Sequence, residues 1–176
     1  MEYFDVINSN GEYLDKIESR EKCHSEGLWH RAVVSFIINS KKQILLQKRS
    51  KYKKMWPNLW DVIGGHVLTG ELGYQAIIRE TKEEMGIDLK KEEIMFIGAT
   101  TSSDKKGDII NNHFNEYYIC FKDIDINDLK LQEEEVSEAR WFEKDEVVKM
   151  IEDNYNGITD KTGVWNHIRK YYRDYI

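Results

Sequence analysis

Between Gly65 and Ile87 the chain reads GHVLTGELGYQAIIRETKEEMGI, and Glu71, Arg79, Glu80, Glu83 and Glu84 fall within it. Set on a helix at about 100° per residue with Glu80 at zero, Glu84 lies at about +40° and Glu83 at about −60°, so three carboxylates share one sector. Arg79 and Glu83 are four residues apart, within pairing range. Carboxylates crowded in this way repel one another. A hard divalent cation such as Mg²⁺ or Mn²⁺ would offset the repulsion, because both prefer oxygen ligands. Bulk water would also offset it, if the sector were only a solvated acidic face, and spacing alone leaves the two readings open.

The elements around these residues follow from local chemistry. A helix is predicted from Tyr74 to Met85, with Tyr74, Ile77, Ile78, Thr81 and Met85 as its core stripe. Gly86 stands where a C-terminal cap glycine belongs, and Gly70 and Gly73 suit the loop that carries Glu71. A short strand over 61–67 leads into this stretch. Upstream, residues 2–8 and 13–18 read as a hairpin, and Ser19 as the cap of a short helix through Cys23 and His24. Residues 28–39 have apolar side chains on both faces and read as a central strand, with a returning strand over 43–49. Residues 93–100, 112–121 and 136–142 read as further strands. The polar link TSSDKKGDIIN between the first two of these reads as a flexible loop. A helix over 145–153 takes Asp145 as its N-cap. The last helix spans 161–172, with Trp165, Ile168, Tyr171 and Tyr172 spaced for packing. Strands mixed with helices indicate α/β layering.

At 176 residues the chain is long enough for one full core, and we read it as a single domain. Its net charge of −6 argues against nucleic acid or an anionic membrane as partner. No apolar run approaches the ~20 residues of a membrane span, and the start, MEYFDVINSN, lacks the pattern of a signal peptide. Cys23 and Cys120 are the two cysteines, which suits a reduced, cytoplasmic setting with both thiols free. The loop RSKYKKMWPNLW, from Arg49 to Trp60, is basic and aromatic. Arg49, Lys53 and Lys54 in it suit an anionic substrate, or form a solvated lysine-rich surface.

Gly65, Glu71, Arg79, Glu80, Glu83, Glu84, Gly86 and Ile87 together resemble the Nudix box: Gly, five residues, Glu, seven residues, then Arg-Glu-U-x-Glu-Glu-x-Gly-U, with U apolar. Thr81 is the one soft departure, at an apolar position. The resemblance implies a Nudix-type α/β/α sandwich with a mixed β-sheet, a core over 28–153, an N-terminal hairpin and short helix over 1–27, and a C-terminal helix over 154–176. It implies metal-assisted cleavage of a diphosphate linkage in a small molecule, with Mg²⁺ or Mn²⁺ as cofactor. Carried over to this chain, Glu80, Glu83, Glu84 and the carbonyl of Gly65 would be metal ligands. Glu83 would be the general base, Arg79 would orient it, and Glu71 would tie the loop to the helix.

The segment from His24 to His66 also resembles the isopentenyl-diphosphate isomerase branch of the family. In KRSKYKKMWPNLWDVIGGH, Arg49 and Lys53 fall on diphosphate-binding positions and His66 on a metal-ligand histidine. His24 and His30 resemble two earlier metal histidines, and Glu116 falls on an acidic catalytic position. The three histidines either form an auxiliary metal site or are ordinary polar residues near a strand start. Gly64 replaces the isomerase cysteine and Phe114 replaces an acidic ligand, while the Nudix box is intact. The expected activity is therefore pyrophosphohydrolysis of a nucleoside di- or triphosphate or related nucleotide derivative, by a monomer or homodimer. Trp56, Trp60, Phe114 and Tyr117 are candidates to stack on a base. The alternatives are an isomerase-like enzyme and a non-catalytic nucleotide-binding module.

Overall fold

The computed structural model describes residues 1–159 and 161–175, and the side chains of 162 and 171–175 lie outside the described set. In chain order the elements are an antiparallel hairpin of β1 (Tyr3–Ile7) and β2 (Tyr13–Ser19), then α1 (Arg20–Glu26), β3 (His30–Ile38), β4 (Ile44–Arg49), β5 (Trp60–Asp61), β6 (Ile63–His66) and α2 (Gly73–Met85). They continue with β7 (Ile94–Lys106), β8 (Ile109–Phe121), β9 (Val136–Phe142), α3 (Lys144–Glu152) and α4 (Thr162–Tyr175). Ser19 caps α1 as expected, its hydroxyl accepting from Lys22 N at 3.3 Å.

The doubly apolar 28–39 segment becomes β3, the centre of a seven-stranded sheet ordered β5-β4-β3-β8-β7, with β6 also paired to β3 and β9 to β4. The sheet is mixed: β3 and β8 run parallel, and the other pairs are antiparallel. Alternation along β3 separates two cores. Val33 and Ile37 point to α2, where they meet Ile77 and Met85. Val34, Phe36 and Ile38 point to the opposite side and meet Val147 and Ile151 of α3 and Trp165 and Ile168 of α4. Helices therefore cover both faces, an α/β/α sandwich. Trp165 is fully buried, and its indole N–H donates to the Thr159 carbonyl at 2.6 Å, so a large apolar side chain is buried without an orphaned donor. Tyr171 and Tyr172, expected to pack from the last helix, lie outside the described side chains.

Three elements differ from expectation. The 61–67 strand is two: β5 pairs with β4 and β6 with β3, because the chain changes partner at Val62. The polar link after residue 100 is not a loop. Strands β7 and β8 continue through it to a turn at Gly107, whose φ of 61° suits glycine, and cross-strand pairs such as Ser103 to Asn112 (2.6 Å) replace apolar contacts. Finally, α3 begins one residue earlier than expected, with Glu143 at the cap. The Glu146 carboxylate accepts from the Glu143 N–H at 2.9 Å, half of a capping box. Among the described residues no helix is long and apolar enough to cross a membrane.

Candidate catalytic and metal-binding site

Strand β6 and helix α2 meet at Gly65. A Cβ at that position would overlap the Glu80 carboxyl group, so a side chain there would displace that carboxylate. At the C-terminal end of α2, Gly86 takes the left-handed conformation (φ 71°); its N–H donates to Lys82 O, and the Ile87 N–H donates to Thr81 O. Gly86 thus caps the C-terminus of the helix. Thr81 is fully buried and satisfies its hydroxyl on Ile77 O at 2.7 Å, which is how a polar side chain fits at an apolar position.

Arg79 holds the carboxylates in place. Its Nε and Nη2 donate to the two oxygens of Glu71, each at 3.0 Å, its Nη1 to Glu80 at 2.8 Å and Glu83 at 3.3 Å, and its Nη2 also to His66 O at 2.9 Å. The paired contact with Glu71 is the fork geometry that only arginine supplies. Glu71 also accepts from the Leu68 N–H at 3.0 Å, which locks the loop to the helix.

The three box carboxylates are not equivalent. Glu83 is 55% exposed in its side chain. Burial pushes the Glu80 carboxyl up to about 7, against the pull of Arg79. Burial, helped by the nearby charge of Glu80, pushes Glu84 up to about 8. Gln47 of β4 donates to Glu84 Oε2 at 2.9 Å, and its own Oε1 is buried without a hydrogen-bond partner among the described residues. The buried carboxyl groups of Glu80 and Glu84 and the orphaned Gln47 oxygen are donors of the kind a hard divalent cation takes.

A cavity of about 450 Å³ opens on the α4 side of the sheet. Arg49, Trp56, Asp61, Tyr117 and Lys161 line it, and Gln47, Gly64 and Gly65 connect it to the carboxylates. Arg49 donates from Nε to Met55 O at 3.1 Å and pairs with the fully buried Asp61 at 3.4 Å; Lys161 pairs with the same carboxylate at 2.6 Å. Lys53, by contrast, is ion-paired with Glu135. Glu116 points to the α2 side, where Arg31 holds it at 2.6 Å and the Tyr118 hydroxyl donates to it at 2.5 Å. Of the four aromatic candidates, Trp56 and Tyr117 line the cavity. Trp60 packs edge-on against Phe142, and Phe114 stands over Gly11. Gly64 has no room for a side chain, since a Cβ there would stand 2.6 Å from the backbone oxygen of Val33.

His66 is not alone. Its ring lies 5.2 Å from His30, 5.3 Å from His24 and 5.3 Å from His113, between ring centroids. Burial lowers the pKa of all four imidazoles, that of His30 to about 4. His113, Gln47, Asp61 and Lys161 were missed from sequence. His113 enters through strand register, as the parallel partner of His30, 83 positions away, and no local spacing signals it.

The sequence pattern of the NUDIX domain matches residues 28–161. An uncharacterised Nudix hydrolase of Listeria monocytogenes is 36% identical over 84% of this chain and 83% of its own length. An isopentenyl-diphosphate Delta-isomerase of Escherichia coli is 26% identical over 86% of this chain and 82% of its own. Among solved structures, a Deinococcus radiodurans protein superposes with a TM-score of 0.70 at 21% identity, covering 97% of this chain and 99% of that one.

Proposed function

This chain belongs to the Nudix hydrolase family, whose members cleave pyrophosphate bonds, and on that premise we propose that it cleaves a diphosphate linkage in a nucleoside di- or triphosphate or related nucleotide derivative, with Mg²⁺ or Mn²⁺ as cofactor. The observation that carries this reading is the Arg79 web: one guanidinium fixes Glu71, Glu80 and Glu83 beside Gly65, whose missing side chain leaves room for the Glu80 carboxyl group. Glu80, Glu83, Glu84 and the carbonyl of Gly65 would hold the cation, which when bound neutralises phosphate charge and lowers the pKa of coordinated water.

The chain's own groups do the rest. Glu83 is the exposed member of the set, so it can take a proton from an attacking water, and Arg79 at 3.3 Å limits its rotamers. Gln47 fixes the orientation of Glu84. Arg49, already turned toward the cavity, binds diphosphate oxygens, and Trp56 offers a ring face for a base, whereas Tyr117 is buried and stacked on His167 and Phe36. An isomerase would need a proton-moving side chain at Gly64, where none fits. A purely binding module would have no use for buried carboxyl groups held at a cost.

The test is a product assay with Mg²⁺ or Mn²⁺ over nucleoside di- and triphosphates, nucleotide sugars, dinucleoside polyphosphates and isopentenyl diphosphate. Glu83→Gln and Glu84→Gln serve as blanks. Phosphate, pyrophosphate or nucleotide release that disappears in both blanks is the expected result. Dimethylallyl diphosphate as the product would install the isomerase, and wild-type silence on every substrate would install the binding module.

A further inference from the structure

Lys161 immediately precedes α4 and lines the cavity beside Arg49 and Trp56, far from both in sequence. Backbone pairing brings it there. The Trp60 N–H donates to Gly157 O at 3.0 Å and the Thr159 N–H to Trp60 O at 3.0 Å, which lays the segment before α4 along β5. The Trp165 indole then holds the Thr159 carbonyl at 2.6 Å, and the Trp165 N–H donates to Lys161 O at 3.2 Å. The Lys161 side chain is thereby delivered to Asp61, the residue after Trp60, and pairs with it at 2.6 Å.

Asp61 is a saturated mount. It is fully buried, and Oδ1 accepts from the Val62 N–H at 3.0 Å and the Thr159 hydroxyl at 3.1 Å, while Oδ2 accepts from Lys161 Nζ at 2.6 Å and Arg49 Nη1 at 3.4 Å. A carboxylate offers about four lone-pair sites, so none is left for a ligand. The two cations keep donors in reserve. Lys161 gives Asp61 one N–H of its ammonium group, and Arg49 gives Nε to Met55 O and Nη1 to Asp61, which leaves Nη2. Two positive charges therefore share one negative charge. Asp104, the other carboxylate on the cavity, is exposed and ion-paired with neither among the described residues. The surplus charge sits on a part-buried wall, with the Lys161 side chain 30% and the Arg49 side chain 16% exposed. Such a charge is costly until an anion meets it.

We propose that Lys161 is a substrate-binding, specificity-determining residue: with Arg49, on the Asp61 mount, it forms a two-cation clamp for one phosphate group of the substrate. The identity of the anion rests on the diphosphate-hydrolase reading. Lys53, the lysine expected to share this work with Arg49, is ion-paired with Glu135 instead, and Lys161 supplies the second cation from the opposite end of the chain. Arginine contributes a planar fork and lysine a point charge, so the pair can meet different oxygens of the same phosphate. The Lys161 ammonium also stands 5.1 Å from the centre of the Trp56 ring, which sets the clamped phosphate beside an aromatic face. That face belongs to a strained loop. Trp56 and Asn58 flank Pro57 with φ of 49° and 61°, a conformation costly to residues other than glycine. Arg49 holds the loop in it, donating its N–H to Leu59 O at 2.9 Å and accepting from the Asn58 N–H at 3.0 Å.

Calorimetric titration of the whole chain with methylenediphosphonate, in a chelator, isolates the clamp: this uncleavable diphosphate carries no base, and no metal is present to hold it. The expected result is binding of one equivalent, weakened about 10–100-fold in Lys161→Met, as for the loss of one charge-assisted hydrogen bond. Lys161→Arg should recover most of it. With the hydrolysed substrate and Mg²⁺, Lys161→Met should raise KM by a similar factor and leave kcat within about threefold, the mark of lost uniform binding. A lysine that only fastened α4 would lower Tm and leave Kd and KM in place, and that result would overturn the proposal. So would a loss that Lys161→Arg does not recover, or a wild type that takes up no methylenediphosphonate. Lys161→Gln, which can still donate to Asp61 without a charge, repeats the test where Lys161→Met fails to fold. Wild-type binding without hydrolysis of any diphosphate would sink the hydrolase reading and keep the clamp. Hydrolysis with KM unmoved in Lys161→Met would do the reverse.

Discussion

Glu84→Gln should stabilise the metal-free protein, and more so as pH rises. The Glu84 side chain is buried, and burial lifts its carboxyl from 4.5 to about 8. A carboxyl whose folded pKa is raised contributes fully below its unfolded value and loses that contribution as pH climbs through the folded one. With those two values, the loss at pH 7 is about 3 kcal/mol, and between about pH 6 and about pH 8.5 it grows by about 2–3 kcal/mol. An amide at this position carries no charge to desolvate, and its oxygen still accepts the hydrogen bond that Gln47 gives at 2.9 Å. Urea unfolding in a chelator, at those two pH values, reads the difference directly. The wild type should lose about 2–3 kcal/mol more than the variant over the interval. Added Mg²⁺ should then restore the wild type at high pH and leave the variant unmoved, because a cation relieves the same buried charge. Parallel stability curves for the two proteins would refute the reasoning, since Glu84 would then be hydrated or already compensated.

Other substitutions probe the remaining supports. Gly64→Cys restores the residue an isomerase needs, yet its Cβ would stand 2.6 Å from Val33 O. Denaturant melts should show a loss of about 1–3 kcal/mol, and isopentenyl diphosphate should yield no isomer. Glu116→Ala removes the only carboxylate paired with Arg31 among the described residues; the Arg31 side chain is 14% exposed and keeps only the Tyr13 hydroxyl and the Glu71 carbonyl. The substitution should cost about 3–5 kcal/mol, and Glu116→Ala with Arg31→Met should recover part of that in the same melts. Arg79→Lys keeps the charge but loses the fork on Glu71, so steady-state kinetics should show kcat down by about 10²-fold with KM little changed.

How much of this was legible in sequence depends on how local each feature is. Helix α2, its Gly86 cap, the Ser19 cap and the doubly apolar β3 all rest on contacts within a few residues, so period and turn chemistry reveal them. The β7–β8 extension was misread because its polar residues look like a loop until they are paired across the strands. Lys53 and Arg49 looked alike as basic loop residues. Their difference comes from Glu135 and Asp61, partners far along the chain for Lys53 and across a strand pair for Arg49. Gln47 gave no signal at all, because a lone glutamine gains meaning only when β4 brings it beside Glu84.

The carboxylates and the histidines owe their separation to β6, a strand of four residues. Along β6, Gly64, Gly65 and His66 alternate in direction. Gly65 opposes Val33 on the face that carries α2, and His66 opposes Ala32 on the face shared with His30 and His113. Oxygen donors therefore gather on one side and imidazole nitrogens on the other, only one residue apart in sequence. Because the side-chain period of a strand is two, a slip of one position would send His66 into the carboxylates and a glycine into the histidines. Arg79 guards against that slip by donating to the His66 carbonyl at 2.9 Å while it holds Glu71 and Glu80. The same guanidinium that orders the hydrolytic carboxylates thus also fixes the register on which the histidine cluster depends.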